Sequence, residues 1–402
     1  MKLQPIRNLI ALTVCLVWFC TGMQGQVSFA HIGLEDGLSQ STVLSITQDV
    51  QGNMWFATFN GVNRFDGYDF TVYRHETGNA GSIGDNMVYA VKADGKGGVW
   101  VGTNNWLSYY DADRDAFRNY RCPQKEEDVR VMQIADVDDS RLLVNTSAGL
   151  YVFHVADTSF VQSGLPADLF RLKATAIYRS KDSLYIGAKD GLWMYSFASR
   201  TLEHLHALPL GRKEILTLLQ HGNHLWIGTE GDGLYRMDRT TRELRHYTAG
   251  GPDGLSSNFV RSLALDARNR LWVGTFTSLD IYDEATGRFQ VYTSNRRQNR
   301  SLSQSSIRSI FMDSQGGMWL GTYFGGLNYY HPLRERFRHI RFSPEGNSLN
   351  DNVIGCITED RAGNLWIGTN NGGVNYYDIR SGEYTYYTKE QGLGSNDVKA
   401  IY

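Results

Sequence analysis

The chain has 402 residues and a formal charge of −2, from 40 basic and 42 acidic side chains. With 42% hydrophobic residues and only 7 Pro it is too apolar for a disordered chain, and its balanced charge argues against a nucleic-acid partner or a polybasic membrane surface. Arg outnumbers Lys 30 to 10, which keeps anionic ligands in view because the planar guanidinium fork binds anions bidentately.

The first element reads as an export signal. Lys2 and Arg7 give a positive start, Leu9 to Cys20 is an apolar run of 12 residues, and the small, polar stretch Thr21 to Gln26 suits cleavage near Gly25. Residues 1–25 are therefore expected to be a signal peptide, the alternative being an uncleaved anchor. Cys15 and Cys20 fall inside it without a lipoprotein pattern. Cys122 and Cys356 are far apart and lack a C-x-x-C context, so isolated buried thiols are expected. No later run reaches the length of a membrane span.

Along the rest of the chain one signature recurs. It reads Trp55-Phe56-Ala57-Thr58, Trp100-Val101-Gly102-Thr103, Trp226-Ile227-Gly228-Thr229, Trp272-Val273-Gly274-Thr275, Trp319-Leu320-Gly321-Thr322 and Trp366-Ile367-Gly368-Thr369. Two degenerate copies, Leu143-Val144-Asn145-Thr146 and Tyr185-Ile186-Gly187-Ala188, fill the gap, so the anchors are spaced by 45, 43, 42, 41, 46, 47 and 47 residues. A period in the forties with four short β patterns per unit marks propeller blades. The sixth copy displays the order. Phe259–Leu265 is an inner strand a, Asp266–Arg270 a turn, Leu271–Thr275 strand b, Leu279–Tyr282 strand c, Asp283–Gly287 a turn, and Phe289–Tyr292 strand d. The eighth repeats it at Val353–Ile357, Leu365–Thr369, Val374–Tyr377 and Tyr384–Tyr387.

The repeated residues have structural roles. The Trp heading strand b is expected to pack between adjacent blades, and the Gly two residues later to allow sheets to approach closely. Asp49, Asp94, Asp313 and Asp360 open D-x-x-G-x-x-W turns, in which the carboxylate bonds its own turn and Gly takes positive φ. The Gly lies one residue too late for a sialidase Asp-box.

With these motifs the chain resembles the two-component regulator propeller repeat, found in periplasmic sensors of hybrid two-component systems in Bacteroidetes. The matching stretches are Gly37-Leu38-Ser39-Gln40-Ser41-Thr42-Val43, Gly254-Leu255-Ser256-Ser257-Asn258-Phe259-Val260, Gly326-Leu327-Asn328-Tyr329-Tyr330 and Gly363-Asn364-Leu365-Trp366-Ile367-Gly368-Thr369. The resemblance covers residues 27 to 402 and departs from the pattern in the two middle copies. It implies two seven-bladed propellers ahead of a β-sandwich, a membrane helix, a histidine kinase, a receiver and a DNA-binding region, in a receptor that senses a glycan breakdown product and controls its utilisation genes.

The expected fold is therefore an all-β propeller. Residues 26–334 form seven four-stranded blades, and residues 335–402 begin a second propeller. Phe29–Ile32 stands in a strand d position, so it should complete a late blade and remove an open edge. With seven blades its partner is Leu327–Tyr330, and Arg336–Phe342 opens the second ring; with one eight-bladed ring it pairs with Val374–Tyr377. Asn396–Tyr402 reads as the start of a further strand a, which marks the chain as a fragment.

Strand a ends at the D-x-x-G turn, so the b–c and d–a connections share the other face, around the mouth of the pore. Loops on a rigid scaffold are where binding usually resides. The b–c loops there offer Phe59, Asn104, Asn105, Trp106, Glu230, Asp232, Phe276, Tyr323 and Phe324 as candidate ligand contacts. Aromatics beside amides and carboxylates suit sugars. Arg261 and Arg308 share one position of strand a in neighbouring repeats, where others carry Leu44, Tyr89, Thr175 or Ile354, and together suit a carboxylate or sulfate. The competing reading is packing for the aromatics and solvation, or ion pairs to acids such as Asp280, for the arginines. No metal, cofactor or catalytic constellation is expected, and this chain is read as no enzyme. The expected partners are a small-molecule or oligosaccharide ligand and, in the whole receptor, a second copy as homodimer. The membrane enters only through a missing downstream segment or an uncleaved signal. An exported polysaccharide-degrading propeller and a protein-binding platform are the alternatives.

Overall fold

The structure is a computed structural model that describes residues 27–123, 128–205, 214–251, 254–295, 300–333, 340–344 and 346–402. The expected signal peptide with Cys15 and Cys20, and most of the expected Arg336–Phe342 strand, lie outside the described residues. The chain forms two compact units, one up to Pro332 and one from Leu333.

The first unit holds seven four-stranded antiparallel sheets among the described residues. Six are built in chain order a-b-c-d, within 45–73, 88–121, 131–161, 174–204, 215–247 and 260–292. The seventh takes strands a, b and c from Ile307–Met312, Met318–Thr322 and Leu327–Tyr330, and its outer strand is Ala30–Ile32. The register is Ala30↔Tyr329, His31↔Asn328 and Ile32↔Leu327. Pairing with Val374–Tyr377 does not occur, since that strand lies between Leu365–Thr369 and Tyr384–Tyr387; the eight-bladed alternative falls with it. Inner strands of successive sheets touch around the circle, and the last meets the first. At this seam Val43 N–H donates to Thr322 O at 3.1 Å, Gly326 N–H to Ser41 O at 2.9 Å, and Ser314 N–H to the Gln48 side chain at 2.8 Å.

Two repeated residues hold neighbouring sheets together. Each of the five strand-b Trp of the ring reaches the next sheet: Trp55 lies 4.7 Å from Tyr110 between ring centroids, Trp100 5.5 Å from Phe153, Trp226 5.4 Å from Tyr282, Trp272 5.3 Å from Tyr330, and Trp319 5.4 Å from Phe56 across the seam. Burying one large apolar side chain is worth roughly 1.5–3 kcal/mol, so these contacts are a principal source of cohesion. The Gly two residues on leaves room for the next inner strand. A Cβ on Gly228 would lie 2.6 Å from Val260, on Gly274 2.7 Å from Ile307, and on Gly321 2.7 Å from the Val43 carbonyl.

The turns between strands a and b come in two kinds. In the first, Asp49 Oδ1 accepts the N–H groups of Gln51 and Asn53 while Oδ2 accepts Trp55 Nε1–H at 2.8 Å. Asp266 and Asp313 do the same for Trp272 and Trp319 at 3.0 and 2.9 Å. Asn269 replaces the turn Gly in the Asp266 copy and takes φ 59°, which Asn tolerates better than most residues. In the second kind, sheets three to five close on tight hairpins at Asp139-Ser140, Lys181-Asp182 and Gly222-Asn223. These hairpins are shorter than the D-x-x-G-x-x-W turn, so that motif is missing from sheets three to five.

The second unit contains one four-stranded sheet among the described residues, Ile354–Glu359, Leu365–Thr369, Val374–Tyr377 and Tyr384–Tyr387. Val398 N–H donates to Thr369 O at 2.9 Å, as Val43 does to Thr322, so Val398 stands where a further inner strand begins. Cys122 is buried and Cys356 is partly exposed, and both are free thiols; the expectation of burial holds for the first alone.

Candidate functional site

The b–c connections bond directly to the d–a connections: Gly61 N–H donates to Asn86 O, Glu230 to Glu214 O, Phe276 to Phe259 O and Tyr323 to Ser306 O. These connections together build one mouth of the ring. The inner strands contribute a feature that no sequence pattern announced. Six of the seven strands a of the ring shift register at their first residues, between Val88/Ala90, Val131/Gln133, Ala174/Ala176, Ile215/Thr217, Val260/Ser262 and Ile307/Ser309. A bulge leaves one residue unpaired and re-aims its side chain. The residues so placed are Tyr89, Met132, Thr175, Leu216, Arg261 and Arg308, and in the second unit the shift between Ile354 and Cys356 places Gly355 there rather than Ile354.

Two groups of candidate residues come together. Phe59 meets Tyr89 edge-on at 5.8 Å, and the Tyr89 hydroxyl bonds Asn104 Oδ1 at 3.2 Å. On sheets six and seven the Arg261 guanidinium lies 4.4 Å from the Phe276 ring centroid and donates to Ser306 Oγ at 3.0 Å, and Arg308 lies 5.9 Å from the Tyr323 ring. Phe259 packs 6.3 Å from Phe276, and Tyr323 packs 4.2 Å from Phe324. Both arginines are half-buried. Burial, then the Arg308 charge, pushes the Arg261 guanidinium down from its usual value, against a weaker upward pull from Glu230. Burial pushes Arg308 down as well.

The other candidates are engaged in the scaffold. Asn105 is left-handed at φ 63°, and its side chain accepts Val129 N–H at 2.8 Å. Trp106 packs on Gly84, where a Cβ would lie 2.6 Å from the Trp106 Cβ, with the Arg121 guanidinium over its ring. Asp232 accepts the Tyr235 hydroxyl at 2.6 Å. Asp280 does not pair with either arginine. It is fully buried and accepts Ser256 N–H at 2.7 Å together with the hydroxyls of Ser256 and Ser278. Asn63 and Asn328 make the same clamp on Ser39 and Ser303 in other sheets. Phe259 and Ser306 belong to the mouth yet went unselected. Their signal is variability at one fixed place, the residue before the apolar head of strand a, held elsewhere by Thr42, Met87, Arg130 and Glu214.

A cleft of about 810 Å³ lies on the opposite, a–b turn side of sheets two to four. Its Arg118 and Arg141 are paired with Asp111 and Asp138, while its Lys96, Arg179 and Lys181 enter no ion pair among the described residues. Among the described residues no cluster of His, Cys, Asp or Glu could hold a metal ion, and no helix is long and apolar enough to cross a membrane.

Comparison with known proteins agrees with this architecture. The family model described as two component regulator propeller matches residues 37–60, 82–105, 254–277, 301–324 and 348–371. The three sheets it passes over are those with tight a–b hairpins. The chain is similar, at 28% identity and a TM-score of 0.66 over 92% of its length, to the extracellular domain of a protein described as a hybrid two component system of B. thetaiotaomicron, and covers 50% of that domain. A second extracellular domain from B. thetaiotaomicron, at 22% identity and a TM-score of 0.60, shows the fold alone. A 48-residue stretch is 48% identical to "Histidine kinase P4" of Formosa agariphila, spanning 12% of this chain and 4% of that protein. With its closed ring, its Asp- and Trp-capped turns and five matched segments, the chain carries two-component regulator propeller repeats.

Proposed function

We propose that the chain is the ligand-sensing propeller part of a hybrid two-component sensor histidine kinase, acting in the periplasm on a glycan-derived oligosaccharide and controlling carbohydrate utilisation genes. The observation that carries this reading is its likeness, over 92% of its length, to an extracellular domain of such a system. The varied mouth supports it, because a rigid ring that presents different side chains from each blade suits recognition. The chain itself acts by binding rather than catalysis, and the kinase chemistry belongs to parts of the receptor beyond it. A ring of interlocked sheets has no internal hinge, so ligand would bias how it sits against a neighbour, most simply the second copy in a homodimer, and this requires unequal affinity for two arrangements. Calorimetry of the whole receptor ectodomain against neutral and acidic oligosaccharides tests the reading. Saturable binding is expected; no binding to any of them overturns it.

A further inference from the structure

The sensing role leaves open which chemistry the mouth selects, and the two bulged arginines answer that. Resting on that role, we propose that Arg261 and Arg308, with the rings of Phe276 and Tyr323, form a subsite for an acidic saccharide, its carboxylate or sulfate taken by the guanidinium pair and its apolar ring face by the aromatics.

The arginines hold the same bulged position on inner strands that touch one another, so their side chains are re-aimed alike, and the charge of Arg308 is felt at Arg261. Of the bulged residues only these two are charged; the rest are Tyr89, Met132, Thr175 and Leu216. Each guanidinium rests beside an aromatic ring, which holds its plane but leaves its N–H edge unspent. Arg261 gives one bond, to Ser306 Oγ, and Arg308 gives none among the described residues. Neither enters an ion pair among the described residues, whereas Arg64, Arg118, Arg141, Arg171, Arg239, Arg242 and Arg270 all do. Two half-buried like charges without a carboxylate are unfavourable alone and gain most from a bidentate anion.

The aromatic component is also unspent. Phe259, Phe276, Tyr323 and Phe324 are 45%, 52%, 40% and 61% exposed. Four large exposed rings within two neighbouring sheets, interleaved with the arginines, match a ring-shaped ligand with an apolar face and an acidic substituent. The Glu230 charge is felt at Arg261 and would repel an anion that strayed toward sheet five, favouring an acidic group between sheets six and seven.

The experiment titrates the whole ectodomain with digalacturonate and with a sulfated chondroitin disaccharide, and with cellobiose and mannobiose as neutral controls, at low and high salt. The acidic sugars are expected to bind at least about tenfold more tightly, with an advantage that falls as salt rises. Arg261→Gln with Arg308→Gln should cost on the order of a hundredfold or more for the acidic sugars, because two charge-assisted bonds are lost, and leave the thermal midpoint unchanged. Phe276→Ala with Tyr323→Ala should weaken acidic and neutral sugars alike. Binding of neutral sugars as tight as the acidic ones, or acidic binding indifferent to salt in the unmodified protein, overturns the acidic subsite and leaves the sensing role standing. Acidic binding untouched by both double variants places the ligand elsewhere and overturns it too. Absence of binding by all four probes sinks the acidic subsite, and binding of other neutral oligosaccharides would then separate that failure from failure of the sensing role.

Discussion

The capped turn of the first sheet allows a quantitative test of what joins the repeats. Asp49 accepts two turn amides and, through its second oxygen, the indole N–H of Trp55, which is fully buried. Asp49→Ala exposes the Gln51 and Asn53 amides, which lie near the surface and can turn to water; this part resembles loss of a helix cap, about 1 kcal/mol. The indole N–H has no such recourse, and an unsatisfied buried donor costs about 1–3 kcal/mol. The expected loss is therefore about 2–4 kcal/mol. Trp55→Phe removes the donor and some packing with Tyr73 and Tyr110. In that background Asp49→Ala should cost only the turn component, so the coupling energy should be about 1–3 kcal/mol. Chemical denaturation of the four proteins, followed by circular dichroism, measures it. Additivity within about 0.5 kcal/mol would refute the claim that the carboxylate serves the Trp as well as the turn.

Three further outcomes are expected. Gly321→Ala places a Cβ 2.7 Å from the Val43 carbonyl at the ring seam and should lower stability by about 1–3 kcal/mol or more; Gly33→Ala, at φ −135° with nothing near its Cβ, is the silent control, and equal melting of both would contradict the seam. Burial raises Asp280 above its ordinary value of 3.8, against the bonds from Ser278 and Ser256, so the native state holds that proton to higher pH than the unfolded chain. Its effect on stability is thus a decline as pH rises from 3.8 through the raised native value and a plateau above it; Asp280→Asn, the residue type of Asn63 and Asn328, should remove that decline and raise stability at neutral pH relative to acid pH. Burial pushes the Cys122 thiol up to about 12, so iodoacetamide should label Cys356 and spare Cys122 until the chain unfolds; fast labelling of Cys122 in the native protein would count against its burial.

Much of this architecture is local and therefore legible in the residues. Strand alternation, the Trp and Gly of strand b and the Asp-capped turns each involve groups a few positions apart, and repetition at a period in the forties multiplies a weak signal into a strong one. That Arg261 and Arg308 occupy equivalent positions followed from the same periodicity. What repetition cannot carry is anything that depends on closure or on departures from the average blade. The partner of Ala30–Ile32 is decided some 300 residues away by how many twisted sheets fill a circle, which the register with Leu327–Tyr329 resolves. The bulges that lift Arg261 and Arg308 out of the ladder depend on how each strand a pairs with its strand b, and the same shift moves the expected position from Ile354 to Gly355. Likewise Asp280 looked like a counter-ion until the fold placed it under the Ser256 loop, while Trp106 and Asn105 looked like ligand contacts until packing on Gly84 and Val129 claimed them. A side chain's type is written in the sequence, but the neighbours that consume its charge, donors or exposed face belong to distant segments, and only tertiary packing brings them to it.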